Sequence, residues 1–180
     1  MNSQLFWYTA RSSGVVGWAL VSASVLWGLS MSSKAFAKKA KPNWMLDLHR
    51  YLGAAACVFS AIHVGGIMLD SYVHFGPVEV LVPFTGSWHP AAVAAGIVSM
   101  YLLAAVEITS LLKAKLSKRT WHLVHFASLP LFVLSTVHML TAGTDAGSPL
   151  LRLAAIAVSA AVVGLTTLRV MSAKDQRRAA

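Results

Sequence analysis

Five long apolar stretches, separated by short polar or basic links, dominate the chain: roughly residues 13–31, 46–70, 90–113, 119–142 and 150–171. A helix needs about 20 mostly apolar residues to cross the hydrocarbon core of a bilayer, and each stretch meets that length. The pattern predicts an all-α, polytopic membrane bundle of five transmembrane helices and no soluble domain. The link from Asp70 to Pro90 is the longest. Its Val78–Phe84 piece, fenced by Pro77 and Pro83, is apolar but too short to cross, so it is expected in the interface or as a cap on the bundle. The links Lys113–Arg119 and Ala142–Pro149 are short, which makes the helices they join antiparallel neighbours. Trp44, Trp88 and Trp121 fall at span ends, the position of aromatic belts.

Composition agrees. The chain is 57% hydrophobic and 12% charged with a mean hydropathy of +0.65, against about 25% charged for a soluble domain. Its one cysteine, Cys57, lies within an apolar run, which excludes an intrachain disulfide framework and a CxxC metal or redox site; a small packing residue is the reading. The net charge of +9 is segregated. Lys34, Lys38, Lys39, Lys41 and Arg50 flank one connection, Lys113, Lys115, Lys118 and Arg119 another, and Arg169, Lys174, Arg177 and Arg178 the C-terminal end, leaving only Arg11 and Arg152 elsewhere. Cytoplasmic loops carry such an excess of Lys and Arg. The expected topology has the N-terminus outside and the C-terminus cytoplasmic, in a multi-pass protein of a bacterial inner membrane. A nucleic-acid patch would not alternate with long apolar spans, so no nucleic acid is expected as a partner. The first span, followed by Ala35-Phe36-Ala37, has the form of a signal peptide. One positive charge precedes the run and the lysines follow it, so a retained helix is the better reading.

The chemistry concentrates in the second and fourth spans. His49 and His63 are 14 residues apart, and His125 and His138 are 13 apart. Histidine inside a span is costly and normally faces the bundle interior and a partner. One such residue is ordinarily a satisfied polar group; two in each of two helices exceed what packing explains. In the expected topology these helices run the same way, so His49 is level with His125 near the cytoplasm and His63 with His138 nearer the outside. At 1.5 Å per residue the two levels are about 20 Å apart. That leaves room for two stacked porphyrins, each iron held by one imidazole from each helix. Fourteen residues at about 100° each return to within about 40° of one face, whereas thirteen leave His125 and His138 about 140° apart on an ideal helix. Pro130 lies between them, and a kink there is expected to correct the phase. His122, one turn before His125, is the alternative inner ligand; its place beside the basic loop favours a supporting or interfacial role. His74 and His89 fall in the outer loop, solvated or available for electron exit or partner binding. Zinc is disfavoured, because its ligands converge within a turn or so and no such cluster exists.

Leu-His-Arg-x-Leu-Gly at Leu48–Gly53 with His63 downstream, and Trp-x-x-Val-His at Trp121–His125 with His138 thirteen on, resemble the ligand helices of the ferric reductase-like transmembrane domain family. That family includes NADPH oxidases, ferric reductases and the bacterial haem subunit of a methionine sulfoxide reductase system. The likeness spans roughly residues 11–170 and implies two haem b groups with bis-histidine ligation, His49 with His125 and His63 with His138. It departs in two respects: family bundles usually have six helices where five are counted here, and no flavin or nicotinamide domain is found. The resemblance therefore implies an electron-transfer subunit rather than a complete enzyme. Its donor would be a separate cytoplasmic flavoprotein or a quinol, and its acceptor an extracytoplasmic redox partner: a ferric chelate, a flavin-bearing protein or an oxidised-methionine reductase. The competing class is a non-redox transporter or assembly subunit with structural histidines.

Charged residues at depth complete the expectations. Arg11 and Arg152, the outer cations, are placed to meet propionates of an outer haem, and Arg50 and Arg119 those of an inner one. Glu107 is the deep carboxylate, a proton relay or a partner of Arg50 or His122. Asp70 and Asp145 are expected as helix-end caps. Gly65, Gly66 and Ala54–Ala56 allow close approach of a flat ring or a neighbouring helix.

Overall fold

The computed structural model describes residues 2–32, 43–71 and 75–178, with side chains described for 4–32, 43–71 and 75–171. Lys34, Lys38, Lys39, Lys41, Ala35-Phe36-Ala37 and His74 lie outside the described residues, as do the side chains of Lys174, Arg177 and Arg178. Every regular element among the described residues is helical: α1 (Asn2–Ser32), α2 (Asn43–Leu69), the short α3 (Pro77–Leu81), α4 (Pro90–Leu111), α5 (Lys118–His125), α6 (Ser128–Ala142) and α7 (Pro149–Arg178). A single 3₁₀ turn, Lys113–Lys115, links α4 to α5. Among the described residues five helical stretches are long and apolar enough to cross a membrane, α5 and α6 jointly forming one of them. The protein is a multi-pass membrane bundle.

The first span is longer than its apolar stretch, because α1 begins at Asn2 rather than near residue 13. Arg11, which ends the apolar window, lies inside the helix and pairs with Asp145. α1 packs on α2, α6 and α7, so it is built into the bundle. Helices α1 and α2 are antiparallel and in register: Gly14 faces His63, Gly17 faces Ser60 and Gly28 faces His49. Gly66 lets the backbone of Ala10 come close, where an added Cβ would stand 3.0 Å from its nitrogen. α4 packs in the same antiparallel sense on α5 and α6. A modest core of Val21, Val25, Leu29, Ala56, Leu103, Leu131, Phe132 and Val162 ties the two halves together. Trp18 Nε1 donates to Thr136 Oγ1 across it at 3.0 Å, a buried polar group satisfied inside the bundle as hydrocarbon surroundings require. The outward faces stay apolar, with Val133, Val137, Leu153, Ile156 and Val163 exposed. A bilayer accepts such a surface.

The fourth span is broken. Ser117 caps α5 by accepting from Thr120 N at 3.0 Å. The helix then tightens at Phe126 and Ala127 (ψ −20° and −10°) before α6 begins. Pro130 has no N–H to offer the Phe126 carbonyl four residues back; Leu129 N takes that oxygen instead, at 3.2 Å, and Ala127 N bonds Val124 O at 2.9 Å. These i→i−3 bonds advance the chain by about 120° per residue instead of about 100°. The added rotation has the sign that brings His138 round toward the face of His125.

At the end opposite the Lys113–Arg119 turn, α3 covers the bundle. Pro77 opens it, Glu79 Oε2 accepts from Gly76 N at 3.0 Å, and Val80 points inward and is buried. This end is called the loop end below, and the other the basic end.

Candidate functional site

The His49 and His125 rings face each other with centroids 6.0 Å apart and planes at 75°. His63 and His138 do the same at 6.1 Å and 79°. The two pairs lie at different depths along α2 and α5–α6, which therefore run parallel. Each gap is too wide for a direct hydrogen bond between rings. It matches two metal–imidazole bonds of about 2 Å each plus the half-widths of the rings. His125 is the ring that faces His49; His122 leans on Trp121 instead, at 4.9 Å and 54°.

The outer nitrogens are fixed by the fold. His63 Nδ1 donates to the Ala10 carbonyl at 2.7 Å, and His138 Nδ1 to the Ala92 carbonyl at 2.8 Å. A carbonyl only accepts, so Nδ1 carries the proton and Nε2 keeps its lone pair on the other side of the ring. Metal-ligating histidines are held in this way, which sets the tautomer and raises the ligand's basicity. At the basic end the anchoring is weaker. His49 Nδ1 lies 3.3 Å from Ser24 Oγ, while His125 stacks on Trp121 at 4.8 Å and 20° with its Nδ1 buried and unbonded.

Glycines make the room. A Cβ at Gly14 would stand 2.7 Å from His63 Nδ1, one at Gly96 2.6 Å from His138 Nδ1, and one at Gly28 3.1 Å from His49 Cε1. These three seats were not among the residues singled out from the sequence. A signal was present: Gly14 and Gly28 are 14 residues apart, the spacing of His49 and His63, as an antiparallel register demands. Gly65, which was singled out, borders open space.

A cavity of about 270 Å³ opens at the loop end, with His63, His138, Trp18, Leu131, Arg11 and Trp88 in its walls. The charged residues divide around it. Arg11 lines the cavity but is held by Asp145, with Nε 2.9 Å from Oδ2 and Nη2 on Oδ1, and its guanidinium lies 4.2 Å from the Trp7 ring centroid. Asp145 is thus an ion-pair partner rather than a cap. Asp70 follows the end of α2, is buried, and lines the same cavity. Arg152, expected beside it, is exposed and donates to the Ala146 carbonyl at 2.6 Å. Arg50 is also exposed and pairs with Asp47 at 3.3 Å. Neither Arg50 nor His122 reaches Glu107; its carboxylate lies against Gly53, where an added Cβ would collide with Oε1. His89, the N-cap of α4 in the left-handed region (φ 38°), packs edge-on against Trp88 at 4.9 Å.

Among the described residues no three His, Cys, Asp or Glu side chains converge to cage an ion. Two opposed imidazoles would hold a haem at each level, His49 with His125 and His63 with His138, and the haem would supply one-electron iron chemistry. The ring separations, the anchored Nδ1 atoms and the glycine seats fit that group.

A parallel pair of membrane helices carrying two opposed histidine pairs defines the class: a multi-pass redox membrane component. The chain belongs to the ferric reductase-like transmembrane component family, whose model matches residues 13–136. The match includes His49, His63 and His125 and ends two residues before His138. No significant match is found among curated proteins or solved structures.

Proposed function

We propose that this protein is a dihaem b electron carrier, with His49 and His125 as axial ligands of one haem and His63 and His138 of the other. The supporting observation is the repeated geometry: two ring pairs with nearly equal gaps of 6.0 and 6.1 Å on co-directional helices. Structural histidines have no need to match in this way. Bound haem supplies one-electron iron redox chemistry, and ligand identity, burial and hydrogen bonding set its potential. The chain's own part is to hold four imidazoles in facing pairs, with His63 and His138 fixed in one tautomer by backbone carbonyls, to exclude water with α3 and the apolar core, and to keep the two sites about 20 Å apart along the bilayer normal. The basic end lies in the cytoplasm of a bacterial inner membrane, with the N-terminus outside. Electrons enter there from a flavoprotein or quinol and leave at the loop end to an extracytoplasmic acceptor, such as a ferric chelate, a flavin-bearing protein or an oxidised-methionine reductase.

Protein purified from cells with ample haem supply tests this. A Soret band, a sharp α band on reduction and two haems per chain are expected; a colourless preparation sinks the proposal in favour of a non-redox membrane protein. His63→Ala or His138→Ala should each remove one haem and leave the other, with size-exclusion behaviour unchanged.

A further inference from the structure

Glu107 is the carboxylate that the electron-transfer reading leaves unused. It sits in α4 four residues from that helix's end at the basic side. Its oxygen presses on Gly53 of α2, where any Cβ would collide with it. Gly53 follows His49 by four residues, so the two share a face of α2 one turn apart. Among the described residues Glu107 is in no ion pair; the two pairs present are Arg11–Asp145 and Arg50–Asp47. A carboxylate inside a membrane bundle, unpaired and beside a buried site, marks function more often than packing.

We propose that Glu107 binds a proton when an electron arrives between His49 and His125. The inference rests on the dihaem reading and names a coupling that the reading does not contain. One turn is about 5.4 Å, which puts the carboxylate on the order of 10 Å from the middle of that histidine gap. One unit of charge added at this range, at an effective dielectric of about 20, changes proton affinity roughly tenfold. The step balances: the arriving electron comes from the donor, a proton comes from water at the basic end, and the carboxylate becomes the acid. On oxidation the electron leaves, the O–H bond breaks and the proton returns.

Other groups do not take this role. On α2 the titratable groups are Asp47 and Arg50, exposed and paired with each other, and the exposed Tyr51, together with His49, Cys57 and His63; of these Cys57 comes within electrostatic reach of Glu107. On the linking turn, Lys113 lies over the Trp121 ring at 4.1 Å, and Lys115 is exposed. On α5, Lys118, Arg119 and His122 are exposed and His125 faces His49. On α6, His138 belongs to the loop-end pair.

The test is an optical redox titration of the purified full-length protein between about pH 6 and pH 8.5. His63→Ala isolates the basic-end couple. One proton per electron corresponds to about 59 mV per tenfold change in proton concentration. With a tenfold change in affinity the basic-end midpoint should fall by about 59 mV in all as pH rises, at about half that value per pH unit where it is steepest; most of this fall should be lost in Glu107→Gln and regained in Glu107→Asp. A protonated-carboxyl stretch should appear in the reduced-minus-oxidised infrared spectrum of the unmodified protein, which needs no variant to fold. Equal slopes in wild type and Glu107→Gln, or no carboxyl band, overturn the coupling and leave the dihaem reading standing. Absence of haem bands overturns both.

Discussion

The histidine rings are positioned by atoms that carry no chemistry of their own. Gly14 and Gly96 give His63 and His138 the space in which Nδ1 reaches a backbone carbonyl. Gly14→Ala or Gly96→Ala would put a methyl group inside van der Waals contact of the ring. The imidazole must turn, and its carbonyl bond is lost, at a cost of about 1–3 kcal/mol. The expected outcome is loss of one haem per chain, measured by pyridine haemochrome against protein concentration, with the basic-end site kept. Gly28→Ala, where the gap is 3.1 Å to a ring edge, should be milder. The ion pair of Arg11 and Asp145 is about one-third exposed on each side, so screening keeps it near 0–1 kcal/mol. Arg11→Gln and Asp145→Asn should each lower thermal stability slightly, and the double variant no more than the larger single effect. None of the three glycine seats is visible from any one segment, because a glycine's partner lies on another helix. The four histidines were legible, since a polar side chain in an apolar run is costly wherever the chain goes next.

At the scale of the element, the fourth span shows a local sequence feature with a distant result. Thirteen residues on a regular α-helix would leave His125 and His138 on different faces. Tightening at Phe126 and Ala127, with Leu129 taking the carbonyl denied a donor by Pro130, turns them toward the same partner helix. Pro130→Ala restores an amide that can bond Phe126 O and let the span become a continuous α-helix. One of the two haem sites should then be lost or weakened, seen as a fall in haem stoichiometry while circular dichroism shows equal or greater helix content. Two haems with unchanged spectra would show that packing, not the proline, holds the break. The kink was readable from proline chemistry alone. Its location before Pro130 was not, because it depends on which neighbouring amide takes the freed carbonyl.

The whole molecule is two antiparallel helix pairs, α1 with α2 and α4 with α5–α6, joined by a modest core and flanked by α7. Cysteine labelling tests its orientation in the membrane. In a Cys57→Ala background, Lys115→Cys should react with an impermeant thiol reagent only after cells are opened, and Ser87→Cys in intact spheroplasts. The reverse pattern would invert the topology and the direction assigned to electron flow. Five spans, bilayer residence and segregated charge were fixed by transfer energies, which depend on each segment's composition and length and so can be summed along one dimension. Which ring faces which, the pairing of Arg11 with Asp145 and the pressing of Glu107 on Gly53 arise only when helices meet. Azimuth and register between helices come from close packing of many side chains at once, and the sequence of a single helix does not contain them.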